Sequence, residues 1–408
     1  MVLVIPLKAA VRFDLTTTLG EWLDNEEQQV SFQPTNPLQM VLPKPDFKSY
    51  ECRDDLVRLA SLRNCLTDVL LKSESHSAAL EEGNALEDAM EYHATLLEFE
   101  KRGFPTLDDD SNGLTLKWKG AWAQQQQESH SHLLWDRSCI TFTIVALLSF
   151  QAAQCSLNDR DECKRGFGLC QQAASILETL QELASSQVFS TVDLSLPMLQ
   201  FWQAFLMAQG QSFVHRMASS GGKHATLSSL SQSAYQLYND ALSKAQDARL
   251  ESEVPRQSKQ WATYCKAQAM MAAGKAEYHQ AAIARIEHHY GVEIVRLRQS
   301  LQKLQALQDF LKSLTEDDHI HMLDYTRREC DTILPVVRDR LKEIERDNHK
   351  IYNEDIPKSV PDIEAKQLIK SSQGYPEAML IPQRRLFVGL QHRLIGGLAT
   401  LNFVRKRK

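Results

Sequence analysis

The 408-residue sequence predicts a mainly all-α protein, and three observations carry that prediction. It holds 16 Gly and 13 Pro among 408 residues, about 7% against an average near 12%, so the backbone has few places to turn. After Cys52, leucines recur at spacings of three and four, the mark of helices that bury one face. The stretch 256–314 keeps that period with scarcely a breaker, a length that predicts an elongated, solenoid-like molecule. No strict repeat of 34 residues is visible, so a regular array is not expected.

Taken in order, residues 1–50 hold most of what is expected as strand or irregular structure. The segment Ile5–Leu15 partly alternates apolar and polar residues, and Pro34, Pro37, Pro43 and Pro45 mark an extended loop. Leu56, Leu59, Leu62, Leu66 and Leu70 then predict a helix over 54–72. Leu86, Met90, His93, Leu97 and Phe99 predict a second, stopped at Gly103-Phe104-Pro105. The helix expected over 133–153 is apolar nearly all round, which predicts the most buried element. Further helices are expected at 163–186, 197–219, 225–247, 256–314, 320–348 and after about 384. Val188 to Pro197 is a connecting loop with Asp193 or Ser195 as a candidate N-cap.

Composition excludes several classes. The net charge is −6, which argues against a general nucleic-acid binder. The eight cysteines at 52, 65, 139, 155, 163, 170, 265 and 330 form no CxxC pair, so they are expected as reduced, buried thiols of an intracellular protein. No secretory signal is expected at the N-terminus. The apolar run Ile140–Phe150 is shorter than the ~20 residues that span a bilayer, so a soluble chain is expected. Charge is uneven: the last 33 residues carry +6 and the rest −12.

Catalytic signatures are missing: no Gly-rich phosphate loop, no GxSxG and no HExxH. Glu316 and His319 have ExxH spacing with His321 beside them, but a di-iron bundle needs a second such motif. Glu128, His130 and His132 alternate in a Gln-rich segment and are expected as solvated loop residues. His288 and His289 are neighbours on the expected long helix, about 100° apart and poorly placed to share a metal, with His279 further back. No enzyme activity, no cofactor and no metal are expected.

Several segments in correct order resemble the Bro domain of the ALIX- and BROX-like ESCRT-associated adaptors. They are Ile5-Pro6-Leu7-Lys8 with Phe13-Asp14-Leu15, Leu62-Arg63-Asn64, Glu91-Tyr92-His93-Ala94 with the run Leu97 to Pro105, and Lys117-Trp118. Trp135-Asp136-Arg137 leading into Ile144–Leu148, Phe167 with Gln171–Leu177, Leu206–Gln211, Tyr290–Leu297, and Asn348–Asn353 with Ile356-Pro357 continue the series. The resemblance implies a curved helical solenoid with a tetratricopeptide-like core and a small N-terminal β-sheet. It implies a Bro domain over 1–390 and leaves a basic amphipathic C-terminal tail over 391–408. The chain ends without a CaaX box, so no prenylation is expected.

Function follows by the same resemblance: a cytoplasmic, non-enzymatic adaptor, transiently at endosomes, in endosomal sorting, multivesicular body formation and membrane remodelling. Its implied partner is the amphipathic C-terminal helix of an Snf7-type (charged multivesicular body protein 4) subunit of ESCRT-III, seated in an apolar groove. Carried over by position, that groove falls on Phe213 or Val214, then Thr226 or Leu227, and Leu230. The spacing Leu227, Leu230, Tyr235, Leu237 suits either an exposed stripe or a core stripe. Thr226 stands where the family has a large aliphatic residue, and Lys223 and Lys266 are candidate rim charges. Tyr352 matches a tyrosine of a second family pocket, and a structural tyrosine packing a returning loop is the alternative. Phe387, Leu390, Leu394, Leu398 and Leu401, with Arg384, Arg385, Arg393 and the closing Arg405-Lys406-Arg407-Lys408, suggest contact with an anionic membrane. Packing of the first half on the domain, with only the last four residues loose, is the alternative. A signalling scaffold binding another helix or a Rho-type GTPase is the alternative function.

Overall fold

Helix formation follows the apolar stripes read from the sequence, with one long exception. The computed structural model describes residues 8–10, 49–72, 84–101, 116–122, 127–186, 191–315, 320–371 and 374–383. Helices dominate: α1 Ser49–Lys72, α2 Ala85–Lys101, α3 Leu133–Gln154, α4 Arg160–Ser186, α5 Leu196–Ser219, α6 His224–Ala245, α7 Ala248–Glu253, α8 Pro255–Ile286, α9 Tyr290–Ser313, α10 Asp324–Asp347 and α11 Glu377–Leu380. The chain divides into two compact units. One comprises Pro6–Leu147, Thr179–Ser195 and Gln373–Lys408, the other Met1–Ile5, Leu148–Glu178 and Leu196–Ser372.

The first unit holds a three-stranded antiparallel sheet in the order β1-β2-β3, from Ala9–Ala10, Leu116–Lys119 and Gln127–His130. Ala10 faces Trp118, and Trp118 faces Glu128. Two of its strands thus come from well beyond the first 50 residues. Glu128 and His130, expected in a solvated loop, lie in β3, and His132 is buried. The His132 Nδ1 accepts the amide hydrogen of Trp135 at 3.0 Å, closing the start of α3 as a cap does. Here α1 and α11 both pack on α2. Helix α3 is the buried element expected: Cys139, Ile140, Phe142, Ile144 and Val145 are fully enclosed. Its 22 residues are long and apolar enough to cross a membrane, yet 94% of its most apolar window is buried, which makes it a core helix.

Buried charges in this unit are paired, as low-dielectric surroundings require. Asp136 accepts from the Arg63 guanidinium at 3.1 Å, from the Trp118 indole at 2.6 Å and from the Tyr92 hydroxyl. Lys8 donates to Asp193 at 2.6 Å, and Arg137 to Glu100 at 2.8 Å.

The second unit is built of helices packed on their neighbours in sequence: α5 on α6, α8 on α9 and α9 on α10, with α6 also against α8. The single helix expected over 256–314 is two helices, α8 and α9, separated by Glu287, His288 and His289. His288 takes a left-handed conformation (φ 60°), and the Tyr290 amide donates to the Glu354 carboxylate at 2.5 Å. The stripe remains what it was expected to be, since Ile294, Leu297, Leu304, Leu307 and Leu311 are buried. It packs back on α8, where Ser300 Oγ donates to the Gly274 carbonyl at 2.8 Å. Among the described cysteines none is bridged; six are buried, but Cys65 is exposed.

Candidate functional site

Helix α5 has neighbours on two sides. On one, residues 362–371 run as an extended strap without regular structure. The Gln211 amide grips its backbone: Nε2 donates to the Lys366 carbonyl at 2.8 Å, and Oε1 accepts from the Leu368 amide at 3.1 Å. The Lys366 amide donates to the Ser229 carbonyl at 3.0 Å, and Gln171 Nε2 to the Lys370 carbonyl at 2.8 Å. Ile363 and Ile369 are buried, while Leu368 stays exposed.

The residues expected to form a partner groove are placed differently from an exposed stripe. Phe213, Val214, Leu227 and Leu230 are 2%, 8%, 5% and 0% exposed. On α6 the buried face runs through Leu227, Leu230, Ala234, Tyr238 and Ala241, a helical stripe, and Ser228 Oγ donates to the Ala276 carbonyl of α8 at 2.9 Å. The core-stripe alternative therefore describes Leu227 and Leu230. Thr226, Tyr235 and Leu237 are half-buried at its edges, and Lys223, just before the helix, is exposed. Lys266 is exposed with its Nζ 4.5 Å from the Phe310 ring.

On another side of α5, a cavity of about 90 Å³ opens toward α6, α8 and α10, and Phe213 is the expected residue that lines it. Gln209, Ser212, His215 and Arg216 come from α5, Ser231 and Tyr238 from α6, Gln268, Met271 and Lys275 from α8, and Tyr325 and Glu329 from α10. The Glu329 carboxylate takes Lys275 Nζ at 2.7 Å and the Arg216 guanidinium on the same oxygen. Arg216 also donates to the Tyr325 hydroxyl. These two cations hold Glu329 below the usual carboxylate range against the opposing effect of burial, while burial pulls Lys275 below its ordinary value. The sequence carries a faint signal for this constellation. Gln209 and Lys275 are polar residues with small apolar neighbours within their helices, whereas Glu329 lies in the polar run Arg327–Asp331, and nothing in their spacing places them together.

Two histidines that the sequence does not single out, His224 and His215, lie beside His279, and the other residues expected from the sequence fall as follows. His224 and His279 meet through their Nδ1 atoms at 3.1 Å, with the His215 ring 6.0 Å from that of His279. Burial lowers His279 to about 4 and His215 well below its usual value. No group of three or more metal-ligating side chains is found among the described residues. Tyr352 is 42% exposed and stacks on Tyr290 with ring centroids 3.7 Å apart. Glu316, His319 and the tail residues Arg405, Lys406, Arg407 and Lys408 lie outside the described residues, as does the side chain of His321.

Residues 3–391 match the family described as the BRO1-like domain. Among curated relatives, the vacuolar protein-sorting protein bro-1 of Neurospora crassa is 24% identical, over 90% of this chain and 35% of that protein. The programmed cell death 6-interacting protein of Xenopus laevis is 24% identical, over 90% of this chain and 38% of that protein. The chain thus spans little more than a third of the length of these relatives. Among solved structures, the ALIX BRO1 domain in a complex with CHMP4C superposes with a TM-score of 0.75 at 19% identity, covering 95% of this chain and 99% of that one.

Proposed function

Because the chain belongs to the BRO1-like domain family, we propose that it is an adaptor that binds the amphipathic C-terminal helix of an Snf7-type ESCRT-III subunit, of the charged multivesicular body protein 4 kind. It acts in endosomal sorting and membrane remodelling, as a cytoplasmic protein transiently at endosomes, and does so without catalysis. The observation that carries this reading is the family match over residues 3–391. The likeness in fold to a BRO1 domain solved with CHMP4C supports it, as does the sorting role in the name of the Neurospora relative. The docking surface we assign lies at the start of α6, on exposed Lys223 and half-buried Thr226, while Leu227 and Leu230 of the same helix and Phe213 and Val214 of α5 are buried. The last four residues, Arg405 to Lys408, would add attraction to an anionic membrane.

A fluorescent peptide of such a helix, titrated into the purified protein, tests the reading. Micromolar binding is expected. Lys223→Glu should weaken it about two- to fivefold, the range of an exposed ion pair. Thr226→Leu should tighten it about tenfold by restoring an aliphatic contact. Leu230 is a poor test position, because its complete burial makes a charged replacement a report on folding. Absence of saturable binding by the parent removes the ESCRT-III reading and leaves the scaffold for another helix in its place.

A further inference from the structure

The cavity between α5, α6, α8 and α10 carries features that the packing of four helices does not require. Three side chains that line it are more than nine-tenths buried yet have polar atoms with no hydrogen-bond partner among the described residues. Both amide atoms of Gln209, the Oγ of Ser231 and the Nε2 of His215 are in this condition, at 3%, 1% and 8% exposure. Buried polar groups are nearly always satisfied, so such a concentration around one cavity indicates that they face something other than protein. Charge points the same way. Of the charged side chains lining the cavity, Arg216 and Lys275 are cations and Glu329 the one carboxylate, and both cations converge on the same oxygen of Glu329. Among the described residues that line the cavity, one positive charge is left without a counter-ion, at a site where Lys275 and Glu329 are 15% and 19% exposed. An ammonium has three hydrogens to give, and Glu329 takes one.

The remaining donors are the kind a carboxylate needs: the Lys275 ammonium, the Gln209 amide and the Ser231 hydroxyl. Around them Phe213, Met271, Tyr264 and Ala234 supply an apolar wall that suits a short alkyl chain. The volume of about 90 Å³ corresponds to about three water molecules, the size of a small aliphatic acid or of one acidic side chain. We propose that this cavity is a recognition site for a small carboxylate group. The group can come from a free aliphatic acid or from the acidic side chain of a bound polypeptide, and the chemistry of capture is the same. The inference rests on the cavity's own residues, of which Phe213 also enters the partner-helix reading above, and its test does not use that reading.

Met271 gives the site its own reporter. The full chain labelled with carbon-13 at its methionine methyls, with the Met271 signal assigned through Met271→Leu, would be titrated with sodium propionate and, separately, with sodium chloride at matched ionic strength. A saturable shift of the Met271 methyl with propionate and not with chloride is expected. Lys275→Met should weaken it at least tenfold, and Ser231→Ala, a change small enough to leave the helix packing in place, about threefold or more. A third titration with N-acetyl-glutamate amide separates the sources: tighter binding than propionate marks a polypeptide side chain, weaker binding a free acid. Water as the sole occupant would leave Met271 unmoved by either carboxylate, and that result overturns the proposal. Equal shifts with chloride and propionate, or an unchanged response in Ser231→Ala, would overturn it as well, whether or not Lys275→Met folds.

Discussion

Gly210 and Ile369 are in such close contact that a Cβ at position 210 would stand 2.0 Å from the Ile369 Cδ1. The strap 362–371 therefore lies on α5 where a glycine lets it approach, and its buried isoleucine fills the gap. Gly210→Ala forces Ile369 out of its position, although alanine is the better helix former. Overpacking of this kind costs about 1–3 kcal/mol. The expected outcome is a lowered melting temperature together with faster amide exchange at Lys366, Leu368 and Ile369, whose amide hydrogens are bound in the native state. A stability change with unaltered exchange at these amides would show that the strap is not held through this contact.

The Asp136 carboxylate gathers the Arg63 guanidinium, the Trp118 indole and the Tyr92 hydroxyl in a region where both charged partners are essentially inaccessible to water. Replacing it with alanine strands the Arg63 charge, and breaking such a pair from one side costs about 3–5 kcal/mol. Asp136→Ala should therefore lower the denaturant midpoint strongly. Asp136→Ala combined with Arg63→Met should recover part of that loss, because the stranded charge is gone. A double-mutant cycle on the purified protein measures the difference.

His93 supplies a pH dependence with a definite sign. Its Nδ1 lies 2.8 Å from the Met379 carbonyl, to which the neutral ring donates. Burial and then the nearby Arg137 charge lower its value to about 3, with the Met379 contact acting weakly the other way. The ring is thus neutral in the folded chain and protonates near 6.5 when unfolded. Its contribution to stability is complete above about pH 6.5 and is lost as pH falls toward 3, at about 1.4 kcal/mol per pH unit. His215 and His279, both lowered by burial, act in the same sense. Urea unfolding at pH 7 and pH 5 should show this loss in the parent and a shallower one in His93→Gln.

How much of this was legible in the sequence depends on the range of the interaction that decides each feature. The leucine stripe from Ile294 to Leu311 declares a buried helical face by its spacing alone, and the apolar run of α3 declares the core. The interruption between α8 and α9 does not, because the groups that fix it, Glu354 and the backbone near Asp355, lie more than 60 residues from His289. Leu227 and Leu230 have a spacing that fits an exposed groove and a core equally, and only α5 and α8, the helices packed against α6, settle their burial. The cavity is the least legible feature, since Gln209, Ser231, Lys275 and Glu329 come from four different helices and share no motif.

The same turn between α8 and α9 gives the last prediction. A Cβ on Gly291 would stand 2.2 Å from the Asp355 carbonyl oxygen, and a backbone atom cannot rotate away as a side-chain tip can. Gly291→Ala therefore pushes the segment around Asp355 off the start of α9, breaking the bond from the Tyr290 amide to Glu354 and the stacking of Tyr290 on Tyr352. Tyr352→Ala removes the stack alone, worth about 0.5–1.5 kcal/mol, while Tyr352→Phe keeps it and should be nearly neutral. The expected order of stability is parent and Tyr352→Phe together, then Tyr352→Ala, then Gly291→Ala, measured by denaturant unfolding. Amide exchange at Tyr290 should rise first in Gly291→Ala. If Tyr352→Ala proves as stable as the parent, the tyrosine is not a packing element of the turn, and its 42% exposed ring is then better explained as a surface kept for a partner.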